Sequence, residues 1–239
     1  LLNGSTNNRI NNATIKNGTV GILSDGNQDD PTKLTLTNSQ IYNSSNFGIL
    51  GRATSIDAEN VVLNNSGFSS FAGTYGGNYN LIHCTIANYW SKSFRQFPAL
   101  LLNNFIVDSE NTVFTNPLET ANFTNCIIYG NDNPELLLEK APSDVFNFKF
   151  TNSLILFDDP TGFYSESQYD FSNTDHFENV LFNNDPEFLD PYKNQLNIPF
   201  GSPAEAAGIL SGNLNVDLTN TPRSSPPDLG AYNATEFED

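Results

Sequence analysis

Apolar positions along this chain recur with a period of one long turn rather than of one helical turn. The hexapeptide Asn12-Ala-Thr-Ile15-Lys-Asn17 returns as Asn38-Ser-Gln-Ile41-Tyr-Asn43, Asn60-Val-Val-Leu63-Asn-Asn65 and His83-Cys-Thr-Ile86-Ala-Asn88. It returns again as Asn125-Cys-Ile-Ile128-Tyr-Gly130, Asn152-Ser-Leu-Ile155-Leu-Phe157 and Asn179-Val-Leu-Phe182-Asn-Asn184. The starts lie 26, 22, 23, 42, 27 and 27 residues apart. Strand side chains alternate between faces, so positions two and four of each copy point the same way. Position two is small or medium: Ala13, Ser39, Val61, Cys84, Cys126, Ser153 and Val180. Position four is large: Ile15, Ile41, Leu63, Ile86, Ile128, Ile155 and Phe182.

A second apolar segment follows the first as Val20-Gly-Ile-Leu23, Phe47-Gly-Ile-Leu50, Pro98-Ala-Leu-Leu-Leu102 and Pro134-Glu-Leu-Leu-Leu138. Two short strands per unit of 22 to 27 residues, joined by turns, predict a β-solenoid of about seven coils. The hexapeptides at 12–17, 38–43, 60–65, 83–88, 125–130, 152–157 and 179–184 are expected to stack as parallel strands of one sheet. Residues 103–118 read as an insertion that accounts for the 42-residue interval. A degenerate extra coil near Asn104 is the rival reading; the second segment occurs only once in that span, which favours the insertion. The coils occupy 1–184, and 185–239 read as an irregular capping segment of the same domain.

Composition sharpens this picture. Asn occurs 36 times in 239 residues. Asn is poor in helices and strands but suits turns and left-handed backbone. Position six of the repeat is Asn17, Asn43, Asn65, Asn88 and Asn184 in five of seven copies. These are expected to form a ladder, each amide bonded to its neighbour one coil away. The net charge is −17, which disfavours nucleic acid and anionic membrane surfaces as partners. No apolar run is long enough to span a membrane. Met is absent, and Leu1-Leu2-Asn3 matches Leu101-Leu102-Asn103 at the end of a second strand. The N-terminal end is therefore expected to be truncated, its open coil covered by further chain or a partner.

The whole pattern resembles the right-handed parallel β-helix, or pectin-lyase-like, superfamily. The closing residues Asp185-Pro-Glu-Phe188, Ser202-Pro-Ala-Glu-Ala-Ala-Gly208, Thr221-Pro-Arg223 and Pro227-Asp-Leu-Gly-Ala-Tyr232 are similar to the tail of β-helix surface proteins of Bacteroidetes-type bacteria. Ala206 stands where that tail carries Asp. The resemblance implies an all-β right-handed solenoid on the outer surface of the cell envelope. It also implies a lipid anchor supplied by a preceding N-terminal region. It identifies a scaffold that carries lyases, hydrolases, adhesins and structural proteins alike.

Few residues qualify for chemistry. Cys84 and Cys126 occupy one repeat position in successive coils, so a disulfide is geometrically conceivable; small buried apolar residues are the expectation. His83 and Cys84 are strand neighbours and point to opposite faces, which rules out a nucleophilic pair. His176 lies in an irregular acidic segment, and two His without Cys pairs make no zinc site. Acidic clusters stand at Asp29-Asp30, at Asp158-Asp159, and at Asp185, Glu187 and Asp190. They would serve glycoside cleavage or hold Ca²⁺. The Arg and Lys expected beside such carboxylates in uronate-degrading β-helices number four and six and are scattered. No catalytic or metal residue is assigned, and Ca²⁺ is the one cofactor kept open. The sequons, such as Asn43-Ser-Ser45, are common by chance in so Asn-rich a chain and are given no role.

Aromatic residues concentrate between Phe68 and Phe97. Tyr89, Trp90, Phe94, Arg95 and Phe97 form a long loop suited to a sugar or a partner protein, flanked by the 103–118 insertion. The sequence-level expectation is thus a non-catalytic extracellular β-helix that binds an envelope protein or a polysaccharide. A polysaccharide lyase or hydrolase, and a purely structural spacer, are the alternatives.

Overall fold

The computed structural model describes residues 1–26, 32–142 and 144–237, so the Asp29-Asp30 cluster lies outside the described residues. The hexapeptides stack as expected. Ile15, Ile41, Leu63, Ile86, Ile128, Ile155 and Phe182 are paired in one continuous parallel register. The pairing of Ile86 with Ile128 shows that the 42-residue interval is a single coil. Within that coil the strands Phe105–Val107 and Val113–Thr115 project as an antiparallel hairpin. The inner stack is sealed: Ser39, Val61, Cys84, Cys126 and Ser153 are buried beside Ile41, Leu63, Ile86, Ile128 and Ile155. Both cysteines are free thiols.

The first five coils have three strands rather than the expected two, while the last two coils have only the first and second of these among the described residues. A first face precedes the hexapeptide and contains Asn8–Asn11, Lys149–Thr151 and Phe177–Glu178, with segments such as 34–37 and 79–82 between them. The hexapeptides make the second face. The third carries Val20–Asp25, Leu100–Asn103 and Leu136–Glu139. First-face residues alternate inward too, and Phe123, Phe150 and Phe177 stack with centroids 4.9 and 5.6 Å apart. Neighbouring coils at a spacing of ~4.8 Å place like on like and leave no room for a wide lumen.

Side-chain links between repeat positions of neighbouring coils occur at position one, at three of the six steps, and not at position six. Asn12, Asn38, Asn60, His83, Asn125, Asn152 and Asn179 all have φ between 45° and 55°, at the bend between first and second faces. Left-handed backbone costs an ordinary L-residue about 1–2 kcal/mol, and Asn tolerates it best after Gly. Side chains link neighbouring coils here: Asn60 Nδ2 donates to Asn38 Oδ1 at 3.1 Å, and Asn179 Nδ2 to Asn152 Oδ1 at 3.5 Å. Asn125 Nδ2 and His83 Nε2 are 3.0 Å apart. Among the described residues no hydrogen bond joins any two of Asn17, Asn43, Asn65, Asn88 and Asn184. Asn17, Asn43 and Asn65 serve as left-handed turn residues. Asn88 is bonded instead to backbone: it accepts from Ser66 N and donates to Ser66 O and Phe68 O.

The closing segment, expected as a cap, lies along the flank of the second face. Leu196, Ala231 and Tyr232 pack on outward-facing Val62 and Ala87; Ile198, Ala204 and Leu229 pack on Ile127 and Leu154. Asp228 holds this strap together by accepting from Ala206 N and Ala234 N, both at 2.7 Å. Arg223 donates to Asn60 Oδ1 and Gly230 O, tying the strap to the ladder. Gly230 has φ +79° and lies so close that an added Cβ would sit 2.6 Å from Thr85 Oγ1. The tail motif is thus a fastening for the second face. No helix in the described residues is long and apolar enough to cross a membrane.

Candidate functional site

The five loop residues predicted to bind divide into two groups. Arg95 is buried and makes a two-pronged ion pair with Glu135, Nη1 to Oε2 at 2.7 Å and Nη2 to Oε1 at 2.6 Å. Glu135 also accepts from Ala99 N and Asp132 N. Burial pushes the Glu135 carboxyl up, and Arg95 pulls it back. Arg95 is therefore an internal clamp between two coils, a correction to its reading as a surface anchor. Tyr89 is covered as well. Phe188 and Tyr192 of the closing segment lie 6.3 and 5.5 Å from its ring, and burial pushes its phenol up.

Trp90, Phe94 and Phe97 remain at the surface. Phe94 is 90% exposed. Trp90 is half-buried; its indole Nε1 donates to Ser93 Oγ, and Lys92 lies over its ring at 5.6 Å. Asn88 Oδ1 accepts from Trp90 N and sets the loop's exit from the second face. Phe97 begins a row that the sequence reading missed. It meets Phe68 edge to face at 5.9 Å, and Phe68 meets Phe47 in the same way at 5.3 Å. All three rings are half-buried. They come from three successive coils at the corner between second and third faces, 21 and 29 residues apart in the chain. Phe47 opens the second apolar segment in its coil, and this equivalence was the available signal. Ser45, Asn46, Ser91, Ser93 and Gln96 are interleaved with the rings.

The hairpin does not adjoin this corner. It leaves the C-terminal end of strand Leu100–Asn103, whereas the Trp90 loop enters the N-terminal end, so the third face separates them. The acidic clusters within the described residues are spent on local turns. Asp159 accepts from Phe163 N and Tyr164 N, which hold its carboxyl below the usual range. Asp185 accepts from Glu187 N, and Asp190 pairs with Lys193. Among the described residues no three His, Cys, Asp or Glu side chains are grouped so as to hold a metal ion.

A stack of parallel coils with a left-handed Asn corner is a β-helix, and a family match over most of the chain decides the family. The chain belongs to the right-handed β-helix family, whose described region, "Right handed beta helix region", matches residues 20–220. Comparison with curated proteins and with solved structures produced no match. The match begins within the first coil and takes in the remaining coils, the aromatic corner and most of the closing segment.

Proposed function

We propose that this β-helix is a non-catalytic binding protein of the bacterial cell envelope, and that its aromatic corner takes a neutral extracellular polysaccharide. The observation that carries this reading is the row Phe47, Phe68 and Phe97, with Trp90 and Phe94 in the loop that leads into Phe97, exposed in part and rimmed by hydroxyls and amides. Sugar rings have apolar C–H faces and polar edges, so ring surfaces among Ser, Asn and Gln match them. A linear glycan also matches a site that repeats from coil to coil. The net charge of −17 favours a neutral over a uronic polymer. Extracellular location and anchoring rest on the tail resemblance.

Trp90 is the one Trp of the chain, so its fluorescence reports directly on the corner. Titration with neutral oligosaccharides is expected to shift or quench its emission saturably. Phe94→Ala should weaken binding by about 2 kcal/mol, about thirtyfold in Kd, with an unchanged melting temperature. Emission indifferent to every neutral glycan, or full affinity in Phe94→Ala, removes the corner as the site.

A further inference from the structure

The hairpin in the fourth coil is built unlike the rest of the molecule. Its strands Phe105–Val107 and Val113–Thr115 form a separate two-stranded sheet, pairing Ile106 with Phe114 and Val107 with Val113. Among the described residues no further strand pairs with either outer edge. Both of its faces are apolar and open: Ile106 is 44%, Phe114 47%, Val107 53% and Val113 55% exposed. Between Phe105 and Thr115 there is no Lys, Pro or Gly, the residues that usually blunt an edge. An isolated ribbon is marginal in water, yet this one is fastened at its root. Asn104 Nδ2 donates to Val145 O, and Asn104 Oδ1 accepts from Ala141 N. On the other strand Asn116 Nδ2 donates to Tyr75 O. A ribbon held firmly at its base and left bare along its length is arranged to receive something.

Charge selects the occupant. The tip carries Asp108 and Glu110, both exposed. At the root a cleft is lined by Phe105, Phe163, Tyr164, Glu139 and Glu166, with Lys140 as its one cation. Two carboxylates against one ammonium leave the cleft net negative, and burial, with Asp159, Glu139 and Glu166, pushes the Tyr164 phenol up. A second copy of the chain would bring the same acidic surface and another −17 charges.

We infer that the 105–115 hairpin is a docking ribbon for a partner protein, which adds an extended apolar strand carrying Lys or Arg to its open edge and seats a cationic side chain in the aromatic and carboxylate cleft at its root. Backbone pairing supplies the affinity and the alternate side chains the selectivity. This surface is separate from the aromatic corner and stands or falls without it.

The test uses the whole chain and a fluorescent, end-blocked peptide alternating Val and Lys, followed by anisotropy. Saturable binding that weakens with salt is expected. The peptide with Glu for Lys should not bind, nor should the Val-Lys peptide N-methylated on alternate amides. The pair Ile106→Ser and Phe114→Ser should weaken binding about tenfold or more, with circular dichroism and melting unchanged because the hairpin stands outside the coils. Glu139→Gln with Glu166→Gln should weaken binding and flatten its salt dependence, whereas Phe94→Ala should leave it intact. Equal binding of the Glu peptide or of the N-methylated peptide overturns the inference, as does full affinity in the serine variants. Concentration-dependent dimers of the free chain that vanish in those variants overturn it too, by making a second copy the occupant.

Discussion

His83 is where the Asn ladder is interrupted, and its burial makes a sharp prediction about acid. The ring has 1% exposure, and Nε2 faces Asn125 Nδ2, so it must be the unprotonated acceptor there. Nδ1 is buried without a hydrogen-bond partner. Burial first, and the Arg223 charge second, push the imidazole down to about 3 from an ordinary 6.5; the Gly230 and Asp228 backbone offsets this in part. The unfolded chain therefore takes up a proton on His83 that the folded chain refuses. Stability from this residue is complete above pH 6.5 and is lost as pH falls toward 3. At about 1.4 kcal/mol per pH unit, the loss between pH 7 and pH 5 is about 2 kcal/mol. His83→Asn restores the residue found in the other six copies. It keeps the left-handed turn and an oxygen to accept from Asn125, and it cannot take a proton. Urea unfolding of both proteins at pH 7, 6 and 5, at constant ionic strength, isolates the contribution, because every other titrating group is shared. The gap between the two should move by about 2 kcal/mol in favour of His83→Asn as the pH drops. Parallel stabilities across that range would refute the claim that His83 is buried neutral.

The clamp and the ladder give further tests. Arg95→Ala leaves Glu135 buried and charged without its partner, so it should cost about 3–5 kcal/mol in chemical denaturation. Asn125→Ala strips partners from His83, Ile209 N and Ile209 O, and should cost about 1–3 kcal/mol. Asn43→Gly should be close to neutral, since Asn43 is half-buried at φ 58° and its role is the turn itself. A loss at Asn43 as large as that at Asn125 would argue that the ladder runs through position six after all.

The sequence by itself determined the stack. A large residue at position four and a small one at position two can share a narrow interior only if coils lie directly over one another. The register from Ile15 to Phe182, including the step across the 42-residue interval, was therefore legible. The first face was not, because pairs such as Leu34 and Leu36, Tyr79 and Leu81, or Phe148 and Phe150 alternate correctly but share no marker residue. Both Asn rows were visible, and only the tertiary structure decided which one bonds side chain to side chain across coils. That depends on whether an amide meets its counterpart or backbone and solvent, and strand periodicity does not say. The same limit governed the site. Arg95 looked like a surface anchor until Glu135, 40 residues on, was brought beneath it. Tyr89 looked free until residues 188–192 folded back over it. Phe47, Phe68 and Phe97 became one row only when three coils were stacked. Repetition encodes what neighbouring coils must share, whereas burial of a loop side chain is set by whatever distant segment lands on it.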